Sequence, residues 1–232
     1  MHQRDTIHVP EGAFSAYVAR PDGIGPWPGV VVLQEIFGIN AVVRGVCDAL
    51  ANAGYLAVAP DLFWRIEPGI DITDQSEAEW KRAFELFNAF DVDAGLRDIQ
   101  AAIDWTRKQK DCAGRVATIG YCLGGLLAFL SAARTTADAS VGYYAVGLEN
   151  RLGEIAQVKK PFLLHLAEAD QFTPPAAQVK IRPALAANPN ITVFAYPGRD
   201  HAFARPGGAH YDKADAEIAN ERTLEFLHKA QI

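Results

Sequence analysis

Basic residues never gather in this chain. Its 22 Lys and Arg are scattered among 28 Asp and Glu for a net charge of −6, which excludes a protein held to nucleic acid mainly by counterion release. Cysteine is scarce. Three residues (Cys47, Cys112 and Cys122) are too few, and odd in number, for a disulfide scaffold, and they fit a reducing compartment. The amino end, Met1-His-Gln-Arg-Asp-Thr-Ile-His, has no apolar core of the kind a secretory signal needs. A cytoplasmic protein is therefore expected. Only one uncharged run, Val116 to Ala133, approaches membrane-span length, and Gly120, Gly124 and Gly125 lie at its centre. A buried strand followed by a buried helix explains those glycines better than a span does, so no membrane partner is expected. Repeats, low-complexity tracts and composition breaks are also missing.

What remains is a chain of 232 residues, half of them hydrophobic. That is enough for one large core, and a single domain over residues 1–232 is expected. A hairpin is read at Ile7–Val9 and Phe14–Ala19 around a Glu11-Gly12 turn, followed by a Pro/Gly loop at Pro21–Gly29. Apolar strands are predicted at Val30–Leu33, Leu56–Ala59, Arg115–Ile119, Val141–Tyr144, Phe162–Leu166 and Ile191–Tyr196. Helices are predicted at Val42–Ala53, Glu77–Phe90, Val92–Lys108, Leu123–Ala133, Pro175–Ala187 (interrupted by Pro183) and Ala214–Lys229. Asp61–Asp74 reads as an excursion from a strand's carboxyl end. Uniformly apolar strands alternating with helices imply an α/β fold, with a mostly parallel sheet covered by helices on both faces. Ligands bind such folds beyond the carboxyl ends of the strands.

The sharpest chemical feature is Gly120-Tyr-Cys-Leu-Gly-Gly125, between a strand and a helix. It has the form G-x-S-x-G with Cys122 in the serine's place. A nucleophile on such a turn is pushed out above the sheet, and the next helix points its positive N-terminus at the sulfur. Two later strand ends supply partners, Ala167-Glu-Ala-Asp170 and Pro197-Gly-Arg-Asp-His201. The order nucleophile, acid, histidine is that of α/β-hydrolases. His201 lies in a loop that packing does not explain. Asp170 is preferred as its acid over Glu168, which is nearer the strand, and over Asp200, which adjoins the histidine and would have to turn back to it. His165, inside an apolar strand, reads as a core residue; His2, His8, His210 and His228 carry weaker signals.

After the first apolar strand comes Gln34-Glu-Ile-Phe-Gly38. A loop there can offer an oxyanion-hole N–H, from Ile36, to act with the N–H of Leu123 after the nucleophile. Glu35 is a carboxylate in an apolar run, read either as an exposed loop charge or as a functional group. A helix terminus favours a thiolate by about 0.3–1 kcal/mol. A carboxylate roughly 4 Å from the sulfur would oppose it by about 4 kcal/mol at an effective dielectric of 20, which would keep the thiol neutral.

At these residues the chain resembles the dienelactone hydrolase family of α/β-hydrolases. The likeness extends over nearly its whole length, through Gln34–Gly38, Pro60-Asp-Leu62, Ala89-Phe-Asp91, Gly120–Gly125, Gly142-Tyr-Tyr144, His201-Ala-Phe-Ala-Arg205 and Asn220-Glu-Arg-Thr-Leu224. The resemblance implies an α/β-hydrolase that opens a cyclic enol-lactone to maleylacetate in chlorocatechol breakdown, a small-molecule reaction with no cofactor and no metal; separately from the resemblance, a monomer is expected. It also implies roles: Cys122 as nucleophile, His201 as base, Asp170 as orienting acid, and Glu35 as the group that holds the thiol at rest and then takes its proton. Arg205 matches one substrate-binding arginine, with Tyr144 and Phe37 beside it. Where a second arginine is expected the chain has Trp80, with Lys81 and Arg82 adjacent. Ala202 replaces a serine, and Phe84 and Phe87 stand where a tyrosine and a tryptophan are expected. Losing one arginine–carboxylate contact would cost about 1.5–3 kcal/mol of binding. The pattern therefore points to a more apolar acyl pocket, and the reaction type carries over more firmly than the substrate. Two other readings compete: a hydrolase of another ester or a thioester, and a non-catalytic ligand-binding member.

Overall fold

Backbone pairing, more than apolar content, decides where the first strand lies in the computed structural model, which describes residues 2–232. β1 (His2–Val9) pairs antiparallel with β2 (Gly12–Ala19) along its full length, five residues longer at its start than the sequence suggests. Among the described side chains of β1, only Ile7 is buried. An edge strand needs ladder hydrogen bonds but no apolar alternation, which is why its start is not legible. The chain belongs to one mostly parallel eight-stranded sheet with helices, and it forms two compact units, residues up to Thr118 and Ile119–Ile232.

In the first unit, β3 (Trp27–Leu33) and β4 (Leu56–Pro60) run parallel, and β2 joins β4 antiparallel. β4 and the carboxyl-terminal half of β3 are fully buried, as uniformly apolar strands demand. Between them lies α1 (Ala41–Asn52), capped by Asn40, whose side chain accepts from the N–H groups of Val42 and Val43. α2 (Glu77–Ala89) starts at Ser76 and α3 (Val92–Arg107) at Asp91, each capped by its own side chain. The excursion at residues 61–74 has no regular element. It is fastened to the loop after β3 by a bridge between Gly38 and Asp71 and by hydrogen bonds Ile39 N–H to Ile70 O and Ile72 N–H to Phe37 O, each 3.1 Å. A Cβ at Gly38 would sit 2.0 Å from the Ile70 oxygen, and its φ of +75° is left-handed, so only glycine fits.

β5 (Cys112–Tyr121) begins in the first unit and leads into the second. There α4 (Leu123–Arg134) follows, carrying no charge before Arg134 and buried over residues 123–132. Thus the uncharged run divides between strand and helix, and no helix among the described residues is long and apolar enough to cross a membrane. β6 (Ala139–Tyr143), β7 (Phe162–Ala167) and β8 (Ile191–Tyr196) are parallel neighbours in that order. α5 (Pro175–Ala186) forms despite Pro183, and α6 (Lys213–Lys229) closes the chain. Two 3₁₀ segments, Leu148–Asn150 and Leu152–Gln157, occupy a stretch for which the sequence offers no periodic pattern. β6 ends one residue earlier than predicted, because Tyr144 turns to φ 36° and leaves the strand.

Candidate active site

The turn between β5 and α4 places Cys122 at φ 57° and ψ −114°, outside the regions a cysteine normally occupies. Its neighbours must be small for this turn to close: a Cβ on Gly120 would lie 1.9 Å from the Gly124 carbonyl oxygen. Cys122 N–H donates to Tyr143 O (3.1 Å), and its carbonyl accepts from Gly125 and Leu126 as the first helical turn forms. Leu123 is the first residue of α4, where the N–H has no intrahelical acceptor and points toward the helix entrance.

Asp170 and His201 meet through the pairing of β7 with β8. The register that joins Ala167 to Tyr196 continues as Glu168 N–H to Tyr196 O (3.1 Å) and Ala169 N–H to Arg199 O (2.8 Å). The next residue is Asp170, whose Oδ2 lies 2.9 Å from Nδ1 of His201. Its Oδ1 accepts from Phe172 N–H (2.8 Å), so both carboxylate oxygens are engaged. Both side chains are buried. Rings bracket the imidazole on two sides, Phe172 at 4.8 Å and Tyr144 at 5.1 Å between centroids, each nearly perpendicular to it.

Burial works against a charge on His201. The opposing charge of Cys122, a hydrogen bond to Asp170, one to Cys122, and the charge of Asp170 outweigh it, and the imidazole is pushed up to about 10. Within the second unit the carboxylate and the imidazole are thus hydrogen-bonded to each other, and the Cys122 sulfur is near enough to raise the ring's proton affinity. The arrangement can take up a proton on the ring, pass it on and hold the ring's orientation.

The competing carboxylates point elsewhere. Glu168 is ion-paired with Arg182, and Asp200 accepts backbone N–H groups rather than the imidazole. His165 is the core residue the sequence implies, fully buried, with Nδ1 2.8 Å from Tyr196 Oη and Nε2 2.9 Å from Thr223 Oγ1. Arg205 is buried, four residues after His201. Ala202, between them, takes φ 62°.

The remaining expected site residues belong to the first unit. Glu35 is 4% exposed, which rules out the exposed-loop-charge reading, and Ile36 and Phe37 are buried with it at the end of β3. Rings climb outward from there: Phe37 meets Trp80 edge-on at 5.1 Å, and Trp80 stacks on Phe84 at 5.6 Å, where Phe84 is 40% exposed. Trp80 Nε1 donates to Asp74 O, and Phe87 is half-buried. Among the described residues no group of three or more His, Cys, Asp or Glu is spaced to hold a metal ion.

Comparison with known proteins agrees with this architecture. The model of the dienelactone hydrolase family matches residues 14–231. A carboxymethylenebutenolidase from Pseudomonas putida is 43% identical over 218 residues, covering 94% of this chain and 92% of its own. A provisionally named carboxymethylenebutenolidase from Azospirillum brasilense is 51% identical over 225 residues, with 94% of each chain covered. Among solved structures, a provisionally named dienelactone hydrolase from Klebsiella pneumoniae superposes with a TM-score of 0.84 at 29% identity, over 98% of this chain and 99% of that one.

Proposed function

The chain belongs to the dienelactone hydrolase family and is a lactone or ester hydrolase, and from that premise we propose that it works through a covalent acyl-enzyme on Cys122, with His201 moving the proton and Asp170 orienting the ring. The observation that carries this reading is the buried Asp170–His201 hydrogen bond, beside which Cys122 stands on a positive-φ turn at a helix entrance and helps to raise the imidazole.

The thiolate sulfur attacks the carbonyl carbon, and the electron pair moves onto the carbonyl oxygen, which accepts a hydrogen bond from the Leu123 N–H. Collapse of this intermediate breaks the carbon–oxygen bond. The leaving oxygen takes the proton from the His201 imidazolium, leaving a thioester and a neutral ring. Water then gives a proton to His201 as its oxygen bonds to the acyl carbon, the carbon–sulfur bond breaks, and the thiolate–imidazolium pair returns with the carboxylic acid product. In a lactone the leaving oxygen stays tethered to the acyl group, so ring opening yields one product.

For the substrate, we favour a small lactone or ester with an apolar acyl portion. The half-buried Trp80 where a second arginine was expected, and the exposed Phe84 stacked on it, support that preference over a dicarboxylate-like substrate. Arg205 remains the group suited to one carboxylate. The test is mass spectrometry during turnover of a chromogenic ester together with a panel of lactones and thioesters. The wild type is expected to carry one acyl adduct on Cys122, and Cys122→Ala to lose turnover by at least about 10³-fold. Full activity in Cys122→Ala would remove the nucleophile assignment, and tight lactone binding without hydrolysis by the wild type would favour a binding protein.

A further inference from the structure

Asp200, the carboxylate beside His201, does not contact the imidazole, yet it touches both loops that build the Asp170–His201 pair. Its Oδ1 accepts from the backbone N–H of Gln171 at 3.0 Å and from that of His201 at 2.6 Å. Gln171 follows Asp170 directly, and the 170 loop and the 201 loop leave different strands, β7 and β8. A single oxygen therefore joins the backbone just after the acid to the backbone of the histidine. Strand pairing ends below this point, with Ala169 N–H to Arg199 O as the last rung. Past it, the two loops have no regular ladder to hold them in register, and Asp200 continues the connection where the ladder stops.

The surrounding charges keep the carboxylate ionised for this task. Burial pushes it up, but the two N–H donors outweigh that and, with the charges of His210 and His201, hold it below the ordinary carboxylate range. Its other oxygen, Oδ2, lies 3.7 Å from Nε2 of His210. Arg199, the preceding residue, is directed away and pairs with Asp212 and Asp215 at the start of α6. Asp200 thus faces the two loops and is not consumed by the nearest arginine.

We infer that Asp200 is a positioning residue for hydrolysis: its Oδ1 locks the acid loop to the histidine loop and thereby fixes the Asp170–His201 distance and the direction of the imidazole. This rests on the reading of Cys122, His201 and Asp170 as the reacting group. A hydrogen bond between side chain and backbone at a loop outside regular pairing is a local, strongly directional restraint. Displacements of about 1 Å in a supporting group suffice to lower turnover by orders of magnitude.

The experiment compares Asp200→Ala and Asp200→Asn in the full-length enzyme, with ester turnover, its pH profile and amide hydrogen exchange as readouts. Asn keeps an oxygen that can accept both N–H groups; Ala removes it. Asp200→Ala is expected to lower kcat about 10-fold or more with KM within about 2-fold, to bring the alkaline limb of the profile to lower pH, and to speed exchange at the Gln171 and His201 amides. Asp200→Asn is expected to recover most of kcat and of the amide protection. Wild-type kcat and an unmoved alkaline limb in Asp200→Ala would overturn the proposal, as would an Asn variant no better than Ala. If Asp200→Ala does not fold, Asp200→Gly deletes the same oxygen and is read in the same way. Cys122→Ala separates the two levels: activity surviving there defeats the nucleophile reading, whereas amide exchange at Gln171 and His201 still judges the lock.

Discussion

At the scale of single residues, the turn at Gly120–Gly125 shows how a sequence pattern becomes a steric requirement. The sequence identifies Gly120 and Cys122 because glycine before a nucleophile is needed wherever the backbone doubles back, and the structure gives the requirement a distance of 1.9 Å between a hypothetical Cβ and the Gly124 oxygen. That contact involves backbone on both sides, so no rotamer can relieve it. Gly120→Ala is expected to destabilise the protein by about 3 kcal/mol or more and to lower Tm by roughly 6–12 °C, as measured by calorimetry. An unchanged Tm would mean the turn is not closed as described. The Asp170–His201 contact was also legible, since a carboxylate two residues further into its loop than Glu168 can face a histidine in the loop after the neighbouring strand. The engagement of Asp200 with Gln171 was not, because a hydrogen bond to a backbone amide 29 residues away leaves no mark in residue type or spacing.

At the scale of elements, α2 and α3 begin where the sequence places them, and the structure supplies the cap at each start. Ser76 before α2 and Asp91 before α3 stand at the predicted boundaries, and each accepts from N–H groups in the first turn: Asp91 Oδ1 from Asp93 at 2.9 Å and from Ala94 at 3.0 Å. Asp91→Ala is expected to cost about 1 kcal/mol and about 2–4 °C in Tm, readable by circular dichroism. A Tm equal to that of the wild type would show the cap to be redundant. The buried strands were equally visible as short apolar runs. Less visible were the polar start of β1, held by an antiparallel ladder rather than by burial, and the two 3₁₀ segments between β6 and β7, whose turns are too short to establish a period. The left-handed Tyr144 ended β6 early for a reason no local propensity contains, since its N–H is taken by His165 O at 2.8 Å and its ring lies against His201.

At the scale of the molecule, two histidines of the second unit give stability opposite dependences on pH. His165 is buried among Tyr196, Thr223 and Tyr143, and burial, with the charge of Arg222, lowers it to about 3. Its folded value is below the unfolded one near 6.5, so the unfolded chain binds the extra proton; the contribution of His165 is complete above pH 6.5 and is lost as pH falls toward 3. His201 is raised, so its contribution is complete below pH 6.5 and is lost as pH rises toward 10. Urea unfolding of His165→Gln should therefore show lower stability at pH 7, because two hydrogen-bond partners lose their fitted ring, but a shallower decline between pH 6 and 4, by about one proton taken up on unfolding. Equal slopes in the variant and the wild type would assign the acid sensitivity to other groups.

The acid and the histidine are 31 positions apart and are brought together by one pair of parallel strands, whereas the sulfur arrives on a different strand and a different turn. On the proposed mechanism, custody of the proton and attack on the carbonyl are thus entrusted to separate stretches of backbone. If Cys122 is the attacking group of that mechanism, Cys122→Ser exchanges sulfur for oxygen and leaves the Asp170–His201 hydrogen bond in place.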